Sequence, residues 1–188
     1  MKLTAFLGSP RAGGNTDILA SRILDGARDA GLQTETAALR DLKIVPCDAC
    51  DRCWSGGLPC VQQDDMTPLY GTIGEADILL FATPVYWYGP TAIMKAFVDR
   101  LIPLNRPPGR PLIQGKGALL VAAYEETGPA AAEPLVRMFE LAFAYLQVRF
   151  IDQVVVDGVG PKGAVLHKPE ALDRAYAVGR ALKDWSAP

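Results

Sequence analysis

The feature that most restricts the fold is a series of short, nearly continuous apolar runs, each followed by a stretch with helical periodicity. Leu3–Leu7, Asp77–Ala82 and Gly117–Tyr124 read as strands with apolar residues on both faces. Strands of this kind belong in a sheet covered on both sides, because a sheet with one wet face alternates polar and apolar residues. Thr34–Leu39 and Phe150–Val156 supply two further strands. Helices are predicted from Thr16 onward and over Asp65–Glu75, Thr91–Leu101, Pro129–Leu146 and Pro169–Trp185. In the first of them Leu19, Ala20, Ile23, Leu24 and Ala27 recur at helical spacing, and Gly31 stands where a C-terminal cap belongs. Alternation of strand and helix along the whole chain implies an α/β architecture with a parallel sheet and helices on both faces. Five strands fit the order 2-1-3-4-5, in which ligands bind beyond the carboxyl ends of the strands, where the strand order reverses.

A length of 188 residues suits a single domain spanning 1–188. With 49% hydrophobic and 21% charged residues, the chain has the composition of a globular protein rather than a disordered one. The net charge of −2 and the lack of any Lys/Arg run give no pull toward nucleic acid or an anionic membrane. No stretch approaches the roughly 18 apolar residues of a membrane span. The run from Met1 to Leu7 meets Gly8-Ser9-Pro10-Arg11 too soon for a signal peptide. A buried first strand and a cytoplasmic location are therefore expected.

The first strand runs into Gly8-Ser9-Pro10-Arg11-Ala12-Gly13-Gly14-Asn15-Thr16. A helix that starts here offers free backbone N–H groups and a positive dipole end, which together suit a phosphate. Ser9 and Thr16 carry hydroxyl donors, Asn15 an amide, and Arg11 a fork for a charge-assisted contact. Gly13 and Gly14 allow close approach of the backbone and positive φ. The same residues also suit a simple helix cap at Asn15 or Thr16. Walker A and dinucleotide glycine patterns are absent.

Ser9-Pro10-Arg11-x-x-Gly14-Asn15-Thr16 resembles the FMN phosphate loop of the NADPH-dependent FMN reductase family, whose fold is flavodoxin-like. Pro84-Val85-Tyr86-Trp87-Tyr88-Gly89, followed by Met94-Lys95-Ala96-Phe97-Val98-Asp99-Arg100, resembles the family's second FMN segment. The resemblance implies that the backbone from Pro84 to Gly89 lies along the isoalloxazine ring. Tyr86, Trp87 and Tyr88 add stacking surface there, and backbone N–H groups can tune the ring's potential. By position after the fourth strand, the loop from Tyr124 to Gly128 is expected to border the ring from the other side.

Cys47, Cys50, Cys53 and Cys60 are the only cysteines, and all fall in one segment. A disulfide framework would spread them along the chain. The Cys-x2-Cys-x2-Cys spacing suits cluster ligation, with the fourth thiol brought back through Gly56, Gly57 and Pro59. Tetrahedral zinc and a Cys50–Cys53 redox pair are the alternatives. The segment resembles the compact cysteine motif of the iron–sulfur flavoproteins, a branch of the same family. That resemblance implies that the four cysteines ligate a 4Fe–4S cluster. It also implies a homodimer or homotetramer in which the cluster approaches the FMN of a neighbouring subunit. Cluster-free relatives carry cysteines here too, followed by an Asp-Asp-Met like Asp64-Asp65-Met66.

The remaining charged residues carry less. His167, the single histidine, reads as a surface residue. Asp64 and Asp65 read as helix N-terminal charges rather than an acid–base pair. Residues 103–116 read as a proline-rich loop in which Arg106, Arg110 and Lys116 are solvated rather than aimed at a nicotinamide cofactor's phosphates. The expected activity is an FMN-dependent oxidoreductase fed by NAD(P)H or ferredoxin, with a small molecule or redox protein as acceptor. A cluster-free NAD(P)H-dependent FMN or quinone reductase, and a non-catalytic electron carrier or zinc-stabilised module, are the competing readings.

Overall fold

The computed structural model describes residues 1–186. Five strands, β1 (Lys2–Leu7), β2 (Gln33–Ala38), β3 (Ile78–Pro84), β4 (Gly117–Ala123) and β5 (Arg149–Val156), form one parallel sheet in the order β2-β1-β3-β4-β5. The expected order is thus the observed one. The helices are α1 (Asn15–Asp29), α2 (Arg52–Gly56), α3 (Met66–Glu75), α4 (Ala92–Asp99), α5 (Glu133–Leu146) and α6 (Pro169–Ala181). Among the described residues no helix is long and apolar enough to cross a membrane.

Strand alternation divides the interior into two cores. Leu3, Ala5 and Leu7 of β1, Ile78, Leu80 and Ala82 of β3, and Leu119, Val121 and Ala123 of β4 face α1 and α6. Phe6, Leu79, Phe81, Ala118, Leu120 and Ala122 face α3, α4 and α5. All six phenylalanines join this second side, with ring centroids in contact from Phe6 and Phe97 through Phe81 to Phe139, Phe143 and Phe150. On the first side α1 and α6 pack with almost no gap. A Cβ on Gly26 would lie 2.2 Å from the Tyr176 carbonyl oxygen, and one on Gly179 would lie 2.0 Å from that of Ile23.

Several boundaries differ from the sequence reading for local reasons. Pro129 starts a 3-10 turn (Pro129–Ala131), and the helix proper begins at Glu133 with Pro134 in its first turn. The last helix ends at Ala181 and tightens into a 3-10 turn over Leu182–Asp184. The proline-rich stretch after α4 holds two 3-10 turns, Ile102–Asn105 and Arg110–Leu112. The short helix α2 inside the cysteine segment was not expected.

Candidate functional site

The carboxyl ends of β1, β3, β4 and β5 surround a cavity of about 230 Å³. From the first loop, Ser9, Arg11, Gly14, Asn15 and Thr16 line it. Helix α1 opens there without a side-chain cap, since its N-cap residue is Gly14. Among the described residues, no protein acceptor takes the N–H groups of Asn15, Thr16 and Asp17, so the first turn presents open donors to the cavity. Ser9 shapes the turn by accepting from the Arg11 N–H at 3.1 Å and donating to the Arg11 carbonyl at 3.2 Å.

Two expected contributors have other work. The Gly13 N–H donates to Asp17 Oδ2 at 2.9 Å, and Gly13 does not line the cavity. The Asn15 amide donates to the carbonyls of Val159 (2.7 Å) and Pro161 (2.9 Å), while its oxygen accepts from Val165 N–H at 3.2 Å. Asn15 is therefore a strap between the first loop and the loop after β5. Beneath it, Asp17 also accepts from Arg40 at 2.9 Å. Burial pushes the Asp17 carboxyl up, against the pull of the Gly13 N–H and the Arg40 guanidinium.

The second loop contributes Pro84, Val85 and Tyr86 to the same cavity. Its root is tied to the first loop: the Thr91 hydroxyl donates to the Gly8 carbonyl at 2.6 Å, and the Thr91 N–H donates to Thr83 Oγ1 at 3.1 Å. Gly8 has no room for a side chain, since a Cβ there would meet Met94 Cβ at 2.7 Å. Beyond Tyr86 the chain makes a tight turn closed by paired Tyr86–Gly89 hydrogen bonds of 2.8 and 3.0 Å. Trp87 and Tyr88 occupy its centre with φ of 50° and 64°, the left-handed region that side chains disfavour. Trp87 is 95% exposed, and neither it nor Tyr88 nor Gly89 lines the cavity. Their contribution is an aromatic flap at the rim, with the Trp87 and Tyr88 N–H groups lacking a protein acceptor among the described residues.

Tyr124 lines the cavity, but Gly128 does not. Gly128 borders a separate groove of about 620 Å³ between α5 and β5, where it accepts from the Tyr124 hydroxyl at 2.8 Å. Burial raises the Tyr124 pKa, and Asp157, Glu126 and Glu133 add to it. Glu125 and Glu126 line the first cavity too, within the loop expected from Tyr124 to Gly128; the sequence reading missed Ala123, Val159, Gly160 and Lys162, which complete the lining. The signal for the last three was their place just after the fifth strand.

All four cysteines line a second cavity of about 210 Å³, which shares no residue with the first. No disulfide joins them. Among the described residues, no three metal-binding side chains converge closely enough to hold one ion. Burial pushes the Cys53 thiol up, and the three neighbouring thiols push in the same direction.

Arg100 forms part of the wall of this cavity and locks the cysteine segment at both ends. Its guanidinium is 1% exposed and pairs with Asp64 at 2.7 Å and 3.1 Å. It also donates to the carbonyls of Val45 (2.6 Å) before the cysteines and Gln62 (3.2 Å) after them. Asp64 in turn accepts from the N–H groups of Val45 and Met66. Burial opposes its ionisation, but the Arg100 hydrogen bond and these N–H donors hold its carboxyl below the ordinary aspartate value. The reading of Asp64 as a helix N-terminal charge is thus incomplete, because its main partner is a buried arginine 36 residues away. Asp65 accepts from Lys43 N–H and caps nothing with its side chain.

The three basic residues at 103–116 are not simply solvated, and none lines the first cavity. Arg106 stacks over Trp54 at 4.1 Å, Arg110 donates to the Asn105 and Tyr145 carbonyls, and Lys116 donates to those of Gly74 and Ala76. His167 is exposed, as expected.

The sequence profile of the NADPH-dependent FMN reductase family matches residues 1–158. An iron–sulfur flavoprotein of Archaeoglobus fulgidus is 35% identical over 128 residues, which is 68% of this chain and 56% of that protein. A Bacillus subtilis protein named as an NAD(P)H-dependent FMN-containing oxidoreductase, YwqN, is 31% identical over 187 residues, 97% of each chain. The chain thus spans a little over half of the archaeal relative and nearly all of the bacterial one. Among solved structures, an NAD(P)H:quinone oxidoreductase from Methanothermobacter marburgensis superposes with a TM-score of 0.81 at 19% identity, over 100% of this chain and 98% of that one, which is a likeness of fold. With a flavodoxin-like sheet and a family profile matched over residues 1–158, the chain belongs to the NADPH-dependent FMN reductase family and is a flavin-dependent oxidoreductase.

Proposed function

We propose that the chain passes electrons from NAD(P)H or ferredoxin, through FMN and a 4Fe–4S cluster, to a small-molecule or protein acceptor. The observation that supports the cluster reading is that Cys47, Cys50, Cys53 and Cys60, closely spaced in the chain, all line one cavity. Zinc at about 2.3 Å from each sulfur requires thiolates only about 3.8 Å apart. A four-iron cube holds its thiolates at alternate corners, farther apart, and the Cys-x2-Cys-x2-Cys spacing is that of ferredoxin-type ligation. When bound, the flavin trades two-electron for one-electron transfers, and the cluster carries single electrons.

The protein's part is to bind and orient. The open N–H groups of the α1 first turn, the Ser9 and Thr16 hydroxyls and Arg11 receive the phosphate. Pro84, Val85, Tyr86 and Tyr124 would flank the ring, with the Trp87–Tyr88 turn next to them in the chain. Arg100 and Asp64 hold the cysteine segment in register. By resemblance to the iron–sulfur flavoproteins, transfer between flavin and cluster is assigned to neighbouring copies in a homodimer or homotetramer.

Anaerobic reductive titration tests this reading. The reading predicts uptake of about three electrons per chain, two by the flavin and one by the cluster, and about two in Cys50→Ser. Two electrons in both proteins would reduce the assignment to a cluster-free FMN or quinone reductase.

A further inference from the structure

We propose that Lys162 is a second cation of the flavin phosphate site and makes the chain select FMN over riboflavin. This rests on the phosphate assignment above. Lys162 lies beyond residue 158, where the family profile ends, so the family match does not assign it.

Its position is fixed by its neighbours. Val159 is 3% exposed and Val165 0%, and both are embedded in the core shared with α1 and α6. Between them the chain crosses the mouth of the first cavity, held by the two Asn15 amide bonds to Val159 and Pro161 and by Val165 N–H on the Asn15 oxygen. Gly163, at φ 81°, turns the chain back. Lys162 therefore hangs from a short arc anchored at both ends, and little backbone freedom is lost when it engages a ligand.

Its side chain reaches the right place. Lys162 lines the cavity together with Ser9, Arg11 and Thr16. Its Cε and Nζ lie 3.7 and 3.9 Å from where a Cβ on Gly13 would stand, so the ammonium lies over the turn that precedes α1. Among the described residues it forms no ion pair within 4.0 Å. The nearby Asp17 carboxylate is engaged through Oδ2 by Arg40 and the Gly13 N–H, its Oδ1 is buried without a hydrogen-bond partner, and the Lys162 charge acts on it from a distance rather than through an ion pair. An ammonium on a flexible stem, lining the same cavity as Arg11 and the start of α1, suits a phosphate dianion. Riboflavin lacks that group and gains nothing from the charge.

The test is fluorescence titration of flavin-stripped protein with FMN and with riboflavin, at low and at moderate salt. Lys162→Gln should weaken FMN binding about threefold to tenfold at low salt, by less at moderate salt, and leave riboflavin within twofold. Lys162→Arg should retain FMN binding within twofold. Equal weakening of both flavins, or unchanged FMN affinity at low salt, would overturn the inference. If the unmodified protein prefers FMN, and Arg11→Ala with Thr16→Ala removes that preference while Lys162→Gln does not, only Lys162 is misassigned. If the unmodified protein shows no preference for FMN, the phosphate assignment fails and this inference with it.

Discussion

The loop at 8–16 grows straight out of a buried central strand, whereas the cysteine segment at 47–60 lies at the border of the second core, against which only its Leu58 and Cys60 pack. The first is shaped before any ligand arrives: Ser9, Asp17, Asn15 and Thr91 fix its turn, and among the described residues the Asn15 and Thr16 N–H groups at the cavity lack protein acceptors. The second has few internal hydrogen bonds, and Ala49 and Asp51 sit in the left-handed region with φ of 55° and 58°. Its order comes from the Arg100–Asp64 clamp and the Arg106–Trp54 stack at its borders. The proposed flavin site is thus pre-organised by the fold. The proposed cluster site is a loop closed at its base, with few bonds to fix its interior.

The sharpest way to break this contrast is Asp64→Asn. It leaves a buried guanidinium without its counter-charge and should cost about 3–5 kcal/mol in chemical denaturation. Cysteine labelling should accelerate, while FMN affinity stays within about threefold. Acid adds a sign. The Asp64 carboxyl is held below its ordinary 3.8, so its contribution is complete above that pH and is lost as pH falls through the depressed value. Stability measured against pH should therefore show an acid limb below about pH 4 that Asp64→Asn lacks.

The converse change is Arg11→Ala with Thr16→Ala. FMN affinity should fall by about ten- to a hundredfold in fluorescence titration, with stability within about 1 kcal/mol and cysteine labelling unchanged. An unchanged affinity would move the phosphate elsewhere. A smaller effect is expected for Gly13→Ala, where φ of 65° costs a side chain about 1 kcal/mol. Both melting temperature and FMN affinity should drop. The smallest concerns the flap: replacing Trp87-Tyr88 by Asn-Gly, which favours this turn geometry, should raise stability by about 1 kcal/mol while lowering turnover. A loss of stability would show that the aromatic pair is held by packing rather than strained for function.

Legibility in the sequence follows the same divide. Strand order was readable because β1, β3 and β4 are apolar on both faces, a pattern only a doubly covered sheet satisfies. The loop at 8–16 was readable as one wall of the first cavity because its residues are contiguous. The roles of Asn15 and Arg100 were not, since each depends on partners far along the chain: Val159, Pro161 and Val165 for one, Val45, Gln62 and Asp64 for the other. Trp87 looked like a ring contact by composition, but the left-handed turn carries it outward.

The most direct test of the account is the stoichiometry of FMN, iron and acid-labile sulfide in protein purified without oxygen. The account predicts one FMN, four irons and about four sulfides per chain, with flavin bands over a broad iron–sulfur absorbance. Flavin with neither iron nor sulfide, or with a single tightly held zinc, would contradict the assignment of the cysteine cavity.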